Sequence, residues 1–413
     1  MATKTTPVLL LTGYLGSGKT TLLNKILNNR KGIRFAVIVN DIGEVNIDAD
    51  LIAKGGIVGG RDDSLVALQN GCICCTLKTD LMQQLSDLVQ QDFDYIVIEA
   101  SGICEPEPIA QTICSMPTIA PNLTRYGVPI LDCIVTVVDA LRLKSEFENG
   151  ERLTSKNIGE EDIESLVIQQ IEFCNIILLN KISEVTREEA TRIKSVIRAL
   201  QPKAEIIECD YCDIDFDKIL NTHLFNFEKT VTAATWIQEI EKPLDEIEEE
   251  ENHHHHDHDH DHHHEHDDHS DCDHEHGVCH HHHHHHDEGE AEEYGIGTFV
   301  YFRRKPFDIN KFDWFVAKHW PKNVIRTKGI CYFSDNTDMS YLFEQAAVQK
   351  KLTEAGQWYA TAPEEELERM LATEPGLRRD WDEKYGDRMQ KLVFIGKDLD
   401  RAAITKALDD CLG

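Results

Sequence analysis

No stretch of this 413-residue chain approaches the ~20 consecutive apolar residues that a membrane-spanning helix needs. The start, Met1 to Pro7, lacks the charged segment and cleavage site of a secretory leader and runs straight into an apolar pattern, so a cytoplasmic location is expected. Basic residues are scarce: 42 Lys and Arg stand against 74 Asp and Glu, a formal net charge of -32. Nucleic acid and anionic membranes are themselves polyanions, so neither is an expected partner. Much of the deficit is local, because Lys242 is the only Lys or Arg between Glu241 and Glu293. A disulfide framework is missing as well. The 13 cysteines are odd in number and unevenly spaced, a pattern that favours reduced thiols or metal ligation. Cys133 and Cys174 sit in apolar runs that read as buried strands, Cys331 in another strand and Cys411 near the end of a final helix.

What is present is an alternation of short apolar runs and longer amphipathic stretches from Pro7 to about Phe227. Val8 to Thr12, Arg34 to Asn40, Tyr95 to Glu99, Asp132 to Asp139, Ile176 to Asn180 and Glu205 to Glu208 have the length and flanks of buried strands. Helical periodicity fills Thr20 to Asn28, Leu77 to Gln90 and Arg187 to Leu200. The pattern predicts an α/β fold over 1–228, with a mostly parallel sheet covered by helices. Over 229–294 it gives way to a helical remnant around Trp236, an acidic run and a histidine-rich segment. That composition cannot bury enough apolar surface to offset its ordering entropy, so a disordered linker is expected. Order is expected again over 295–413 as a small α+β domain, with extended runs near Gly297 to Phe302, Val324 to Phe333, Leu342 to Val348 and Lys391 to Ile395. Helices are expected over Asp308 to His319 and Leu399 to Leu412.

Gly13-Tyr14-Leu15-Gly16-Ser17-Gly18-Lys19-Thr20 matches G-x-x-x-x-G-K-[ST] between an apolar strand and a helix, the context a phosphate-binding loop requires. Gly13, Gly16 and Gly18, with Ser17 and Thr21, would let backbone N–H groups curl around phosphates. Lys19 would contact the β and γ phosphates and the Thr20 hydroxyl would ligate magnesium, all at a helix N-terminus that favours anions. A second strand ends in Glu99-Ala100-Ser101-Gly102, where Glu99 would act through magnesium-bound water or orient the nucleophile and the Gly102 backbone would sense the γ phosphate. A third run ends in Asn180-Lys181-Ile182-Ser183, close to the N-K-x-D by which many GTPases read guanine. Ser183 has no carboxylate to accept guanine's two hydrogen bonds, each worth ~1.5–3 kcal/mol to a charged group. Guanine preference is therefore relaxed unless Glu184 or another group substitutes. GTP with magnesium remains the first choice of nucleotide.

Cys72, Cys74 and Cys75 offer up to three soft ligands within four residues, suited to zinc or copper(I) rather than magnesium. In an extended segment Cys72 and Cys74 project to one side and Cys75 to the other, so the three converge only if the backbone turns. A structural or redox-prone cluster is the alternative. Cys209-Asp210-Tyr211-Cys212 has C-x-x-C spacing but no second pair, and reads as incidental. All but His223 and His319 of the 22 histidines fall in a tract from His253 to His286, interleaved with Asp. Flexible imidazole clusters offer overlapping, exchangeable sites for zinc, nickel, copper or cobalt, and the tract is read as a low-affinity loading segment.

Taken with Asn40-Asp41-Ile42-Gly43-Glu44, Arg326-Thr327-Lys328-Gly329 and Leu392 to Asp400, these motifs closely resemble the CobW-like metallochaperone GTPases, relatives of the nickel chaperones for urease and hydrogenase. The resemblance covers everything except the acidic histidine segment. It implies GTP hydrolysis dependent on zinc, or on cobalt or nickel, coupled to delivery of the metal to a client metalloprotein. By the same resemblance Cys74 is the foremost metal ligand, with Cys72, Cys75 and Glu44 close to the metal path. Some members carry an additional acidic ligand where this chain has Val39. A histidine-rich zinc buffer is the rival reading, and a homodimer is left open.

Overall fold

Seven apolar strands build the first half of the molecule. The computed structural model describes residues 4–28, 33–40, 65–70, 78–91, 93–148, 158–244, 246–247, 295–346 and 349–413. The strands are β1 (Thr5–Thr12), β2 (Phe35–Asn40), β3 (Leu65–Asn70), β4 (Tyr95–Glu99), β5 (Val128–Asp139), β6 (Ile176–Asn180) and β7 (Glu205–Glu208). They form one sheet in the order β3-β2-β4-β1-β5-β6-β7, with every neighbouring pair parallel. Parallel strands need crossover connections, which here include helices α1 (Lys19–Asn28), α2 (Lys78–Gln90), α3 (Pro106–Ile119), α4 (Ala140–Glu148), α5 (Ile158–Glu172) and α6 (Arg187–Leu200). Both faces are covered. Along β1, Val8 and Leu10 enter one apolar layer while Leu9 and Leu11 enter the other, so a continuous apolar run, rather than an alternating one, is what this strand requires. A reciprocal capping box starts α6: Thr186 Oγ1 accepts from the Glu189 N–H, and the Glu189 carboxylate accepts from the Thr186 N–H at 2.7 Å.

The second sheet is antiparallel, in the order β11-β10-β9-β12-β8. Its strands are β8 (Ile296–Arg303), β9 (Val324–Phe333), β10 (Asn336–Ala346), β11 (Gln349–Gln357) and β12 (Gln390–Lys397). One face buries an aromatic layer that includes Phe299, Phe312, Phe333, Phe343 and Phe394 under two helices, here α7 (Ile309–Lys318) and α8 (Arg401–Asp409). The opposite face is buried along β8 and β12. Val300, Phe302, Tyr332, Val393 and Ile395 share one buried cluster with Ile168, Ile171, Ile193 and Ile197 of α5 and α6.

Several expectations need adjusting. β3 and β11 were not anticipated as strands, and a further helix, Glu364–Thr373, lies between β11 and β12. Cys174 is buried, but it sits in the turn between α5 and β6 rather than in a strand. The stretch after 228 is not featureless: helices Phe227–Val231 and Thr235–Glu241 form, Leu244 and Ile247 are buried, and the Trp236 ring lies 4.1 Å from the Lys328 ammonium. The helix Thr235–Glu241 leans on the second sheet and Phe227–Val231 on α3, contacts that the composition of the neighbouring acidic run concealed.

Candidate nucleotide site

The site lies where β1, β4, β5 and β6 end, at the carboxyl edge of a parallel sheet, the region where open α/β sheets bind ligands. β1 is central, and Leu11 is in register with Glu99 of β4 on one side and Val135 of β5 on the other. The loop that follows β1 bends through three glycines at positive φ: Gly13 (131°), Gly16 (78°) and Gly18 (119°). Two have no space for a side chain either. A Cβ on Gly13 would stand 2.3 Å from the Val137 carbonyl oxygen, and one on Gly18 would stand 2.5 Å from Asn180 Nδ2. The loop closes on itself through Ser17 N–H to the Tyr14 carbonyl at 3.1 Å and Lys19 Nζ to the same oxygen at 3.1 Å. Arg142 stacks over Tyr14 with its guanidinium 3.8 Å from the ring centre.

Buried polar groups converge on the loop's inner side. Lys19 is 7% exposed and Glu99 1% exposed. Thr20 Oγ1 donates to Glu99 Oε1 at 2.9 Å, so the first turn of α1 and the end of β4 present two hard oxygens together. Ser17 Oγ is buried with no hydrogen-bond partner among the described residues, which suits a hydroxyl that meets a ligand. Thr21 is exposed on the first turn of α1. Gly102 lies against the loop: a Cβ there would come 2.7 Å from the Leu15 nitrogen. Gln170 of α5 anchors the Gly102 segment by donating to the Gly102 carbonyl at 3.3 Å and the Cys104 carbonyl at 3.1 Å. The donor set fits a magnesium nucleotide: backbone amides, an ammonium and hydroxyls for phosphate, and hydroxyl and carboxylate oxygens for the cation.

Asn180 ties the third motif to the first. Its Nδ2 donates to the Ser17 carbonyl at 2.8 Å, and its Oδ1 accepts from the Cys212 N–H at 3.0 Å. Lys181, in a left-handed conformation at φ 60°, pairs with Asp139 at the end of β5. Cys209-Asp210-Tyr211-Cys212, read from sequence as incidental, is therefore part of the site's wall; Cys212 Sγ also lies 3.5 Å from the Gly18 carbonyl. The proton shared between the two thiols pulls Cys209 below the ordinary thiol range and, with burial, pushes Cys212 well above it. Asp139, Gln170, Asp210 and Cys212 were missed because each acts through a partner more than 30 residues away, or from the end of a strand whose neighbour the sequence does not name. Val39 is packed in the apolar layer with 1% exposure. Glu44, Cys72, Cys74, Cys75 and the tract from His253 to His286 lie outside the described residues.

A glycine loop at the end of a central parallel strand, with a hydroxyl–carboxylate pair and an asparagine reaching back to the loop, defines a P-loop nucleotidase. Residues 7–208 match the CobW/HypB/UreG nucleotide-binding domain and residues 296–412 the cobalamin synthesis protein CobW C-terminal domain. The chain is 32% identical over 423 residues to zinc-regulated GTPase metalloprotein activator 1 of Dictyostelium discoideum, covering 98% of this chain and 79% of that protein. It is 33% identical over 233 residues to the zinc chaperone YjiA of Escherichia coli, covering 55% of this chain and 64% of that one. The chain belongs to the CobW/HypB/UreG family and is a GTP hydrolase of the metallochaperone group.

Proposed function

We propose that this chain hydrolyses GTP to GDP and phosphate in step with loading zinc and passing it to a client metalloprotein. The observation that carries the reading is the Thr20–Glu99 contact at 2.9 Å beside the buried Lys19, in a chain related over 98% of its length to a zinc-regulated GTPase. Gly13, Gly16, Ser17, Gly18 and Thr21 would cradle phosphates, Lys19 would balance β- and γ-phosphate charge, and Asn180 and Lys181 would face the base. Thr20 and Glu99 would hold magnesium, which supplies charge neutralisation to phosphoryl transfer. Gly102, wedged against Leu15 and held by Gln170, would register whether the γ phosphate is present. Cys72, Cys74 and Cys75 with Glu44 would form the transfer site, and the His253 to His286 tract would raise the local zinc concentration. Because nucleotide and metal would bias the same segments, each should change the other's affinity by the same factor.

The test is GTP turnover by metal-free protein during titration of zinc, cobalt or nickel, with Cys74→Ser alongside. Stimulation by zinc that Cys74→Ser abolishes supports the proposal. Stimulation by cobalt or nickel alone reassigns the cargo. Turnover indifferent to every metal, with several ions still held by the tract, would leave a zinc buffer and end the delivery reading.

A further inference from the structure

Where the N-K-x-D motif has its carboxylate, this chain has Ser183, in the short turn Ile182–Glu184 that follows β6. The carboxylate is not lost from that place. The Ser183 N–H and Ser183 Oγ both donate to Asp210 Oδ1, at 3.0 and 2.8 Å. Asp210 follows the end of β7, and β7 runs parallel beside β6 with Leu179 opposite Glu208, so the two strand ends deliver residues 183 and 210 side by side. The turn that carries Asp210 is fixed on both flanks. Cys209 N–H donates to the Leu179 carbonyl at 3.0 Å, Ile182 N–H to the Cys209 carbonyl at 3.3 Å, and Cys212 N–H to Asn180 Oδ1 at 3.0 Å. Asn180 is the same residue whose amide reaches the Ser17 carbonyl of the phosphate loop. Ser183 is exposed and Asp210 half-buried, so the pair is accessible from solvent.

From this juxtaposition we propose that Asp210 is the guanine-reading residue of this GTPase, with Ser183 as the residue that positions it. A carboxylate has acceptor capacity beyond the two bonds Ser183 makes to Oδ1, and guanine offers two adjacent donors, the ring N1–H and the 2-amino group. The acid stands at the end of the neighbouring strand instead of at the fourth position of the motif, so the sequence motif is broken while a carboxylate is kept beside it. The proposal rests on the nucleotide-site reading above, in particular on Asn180 and Lys181 lying beside the base.

The experiment compares binding of GTP, inosine triphosphate and xanthosine triphosphate by the full-length chain, its Asp210→Asn variant, the exchange variant Ser183→Asp/Asp210→Ser, and Lys19→Ala. Inosine lacks the 2-amino group, so the wild-type chain should prefer GTP by about tenfold or more, the value of one hydrogen bond to a charged acceptor. Asp210→Asn offers an amide donor to the xanthine 2-carbonyl, so it should lose that preference and gain xanthosine triphosphate binding by about tenfold or more. The exchange variant should restore selection of GTP. If Asp210→Asn does not fold, the exchange variant decides alone: restored selection supports the assignment, and a folded variant without it overturns it. Unchanged ratios in Asp210→Asn, or a loss of discrimination in Glu184→Gln instead, would also overturn it. The underlying site reading fails separately, if Lys19→Ala still binds all three triphosphates as tightly as the wild-type chain.

Discussion

At the scale of single residues, backbone room and burial set the sharpest constraints. Gly18 combines φ 119° with a neighbour 2.5 Å from any added Cβ, and that neighbour, Asn180 Nδ2, is the group joining the third motif to the phosphate loop. Gly18→Ala should therefore weaken GTP binding at least about tenfold, because both the strained φ and the displaced amide disturb the loop. Isothermal titration checks this, and affinity within twofold of the wild-type value would count against it. A different residue sets a pH dependence. Lys391 of β12 is 3% exposed, and burial, partly offset by Asp380, lowers its ammonium pKa to about 8. Below pH 8 both folded and unfolded chains hold the proton. From pH 8 to the ordinary value of 10.5 the unfolded chain binds it and the folded chain does not, so stability should rise with pH across that window. In melting curves the stability of the wild-type protein relative to Lys391→Met should therefore rise across that window, and a constant difference would count against it.

Between elements, the contacts that matter join α5 to what lies on either side of it. Gln170, in its last turn, holds the Gly102 segment; Glu172, the last residue, forms a bidentate pair with Arg326 of β9 at 2.9 and 3.0 Å. Both members of the pair are buried, beside a cavity of about 370 Å³ between the two sheets whose walls include Glu105, Trp236 and Lys328. Removing one partner strands a charge, so Arg326→Met should cost ~3–5 kcal/mol in urea unfolding, whereas Arg326→Met/Glu172→Leu should cost clearly less. A double variant no better than the single would show that the cost comes from packing. Gln170→Leu should lower GTP turnover more than GTP affinity, since it loosens the segment that carries Gly102 without touching the phosphate loop. Equal losses in both would place Gln170 in the general architecture of the site.

For the molecule as a whole, the decisive feature is the apolar cluster that joins α5 and α6 to β8 and β12. The second domain is not merely tethered to the first; the two share a core. Calorimetry should accordingly show one cooperative transition for both sheets, and two well-separated transitions would contradict a common core.

How far the sequence reached follows from the range of each interaction. β1, β4 and β6 were legible because apolar runs buried on both faces are local signals. The phosphate loop was legible because glycine, lysine and threonine must stand at fixed spacing before a helix. β3 and β11 escaped, β11 because its side chains are largely exposed and its pairing with β10 supplies what its composition does not. Asn180 could be named from its motif, but its grip on Ser17 could not. Ser183 read as a defect until the parallel pairing of β6 and β7 set Asp210 against it. By itself the sequence determined the parallel nucleotide fold, the glycine loop that closes on Lys19 and the acidic character of the chain, since these depend on local pattern and charge. Only the tertiary structure decided which acid stands against Ser183, which glutamine holds the Gly102 segment and how the two domains share a core. Those contacts join residues 27 to 154 positions apart, and their energy depends on burial that no local pattern records.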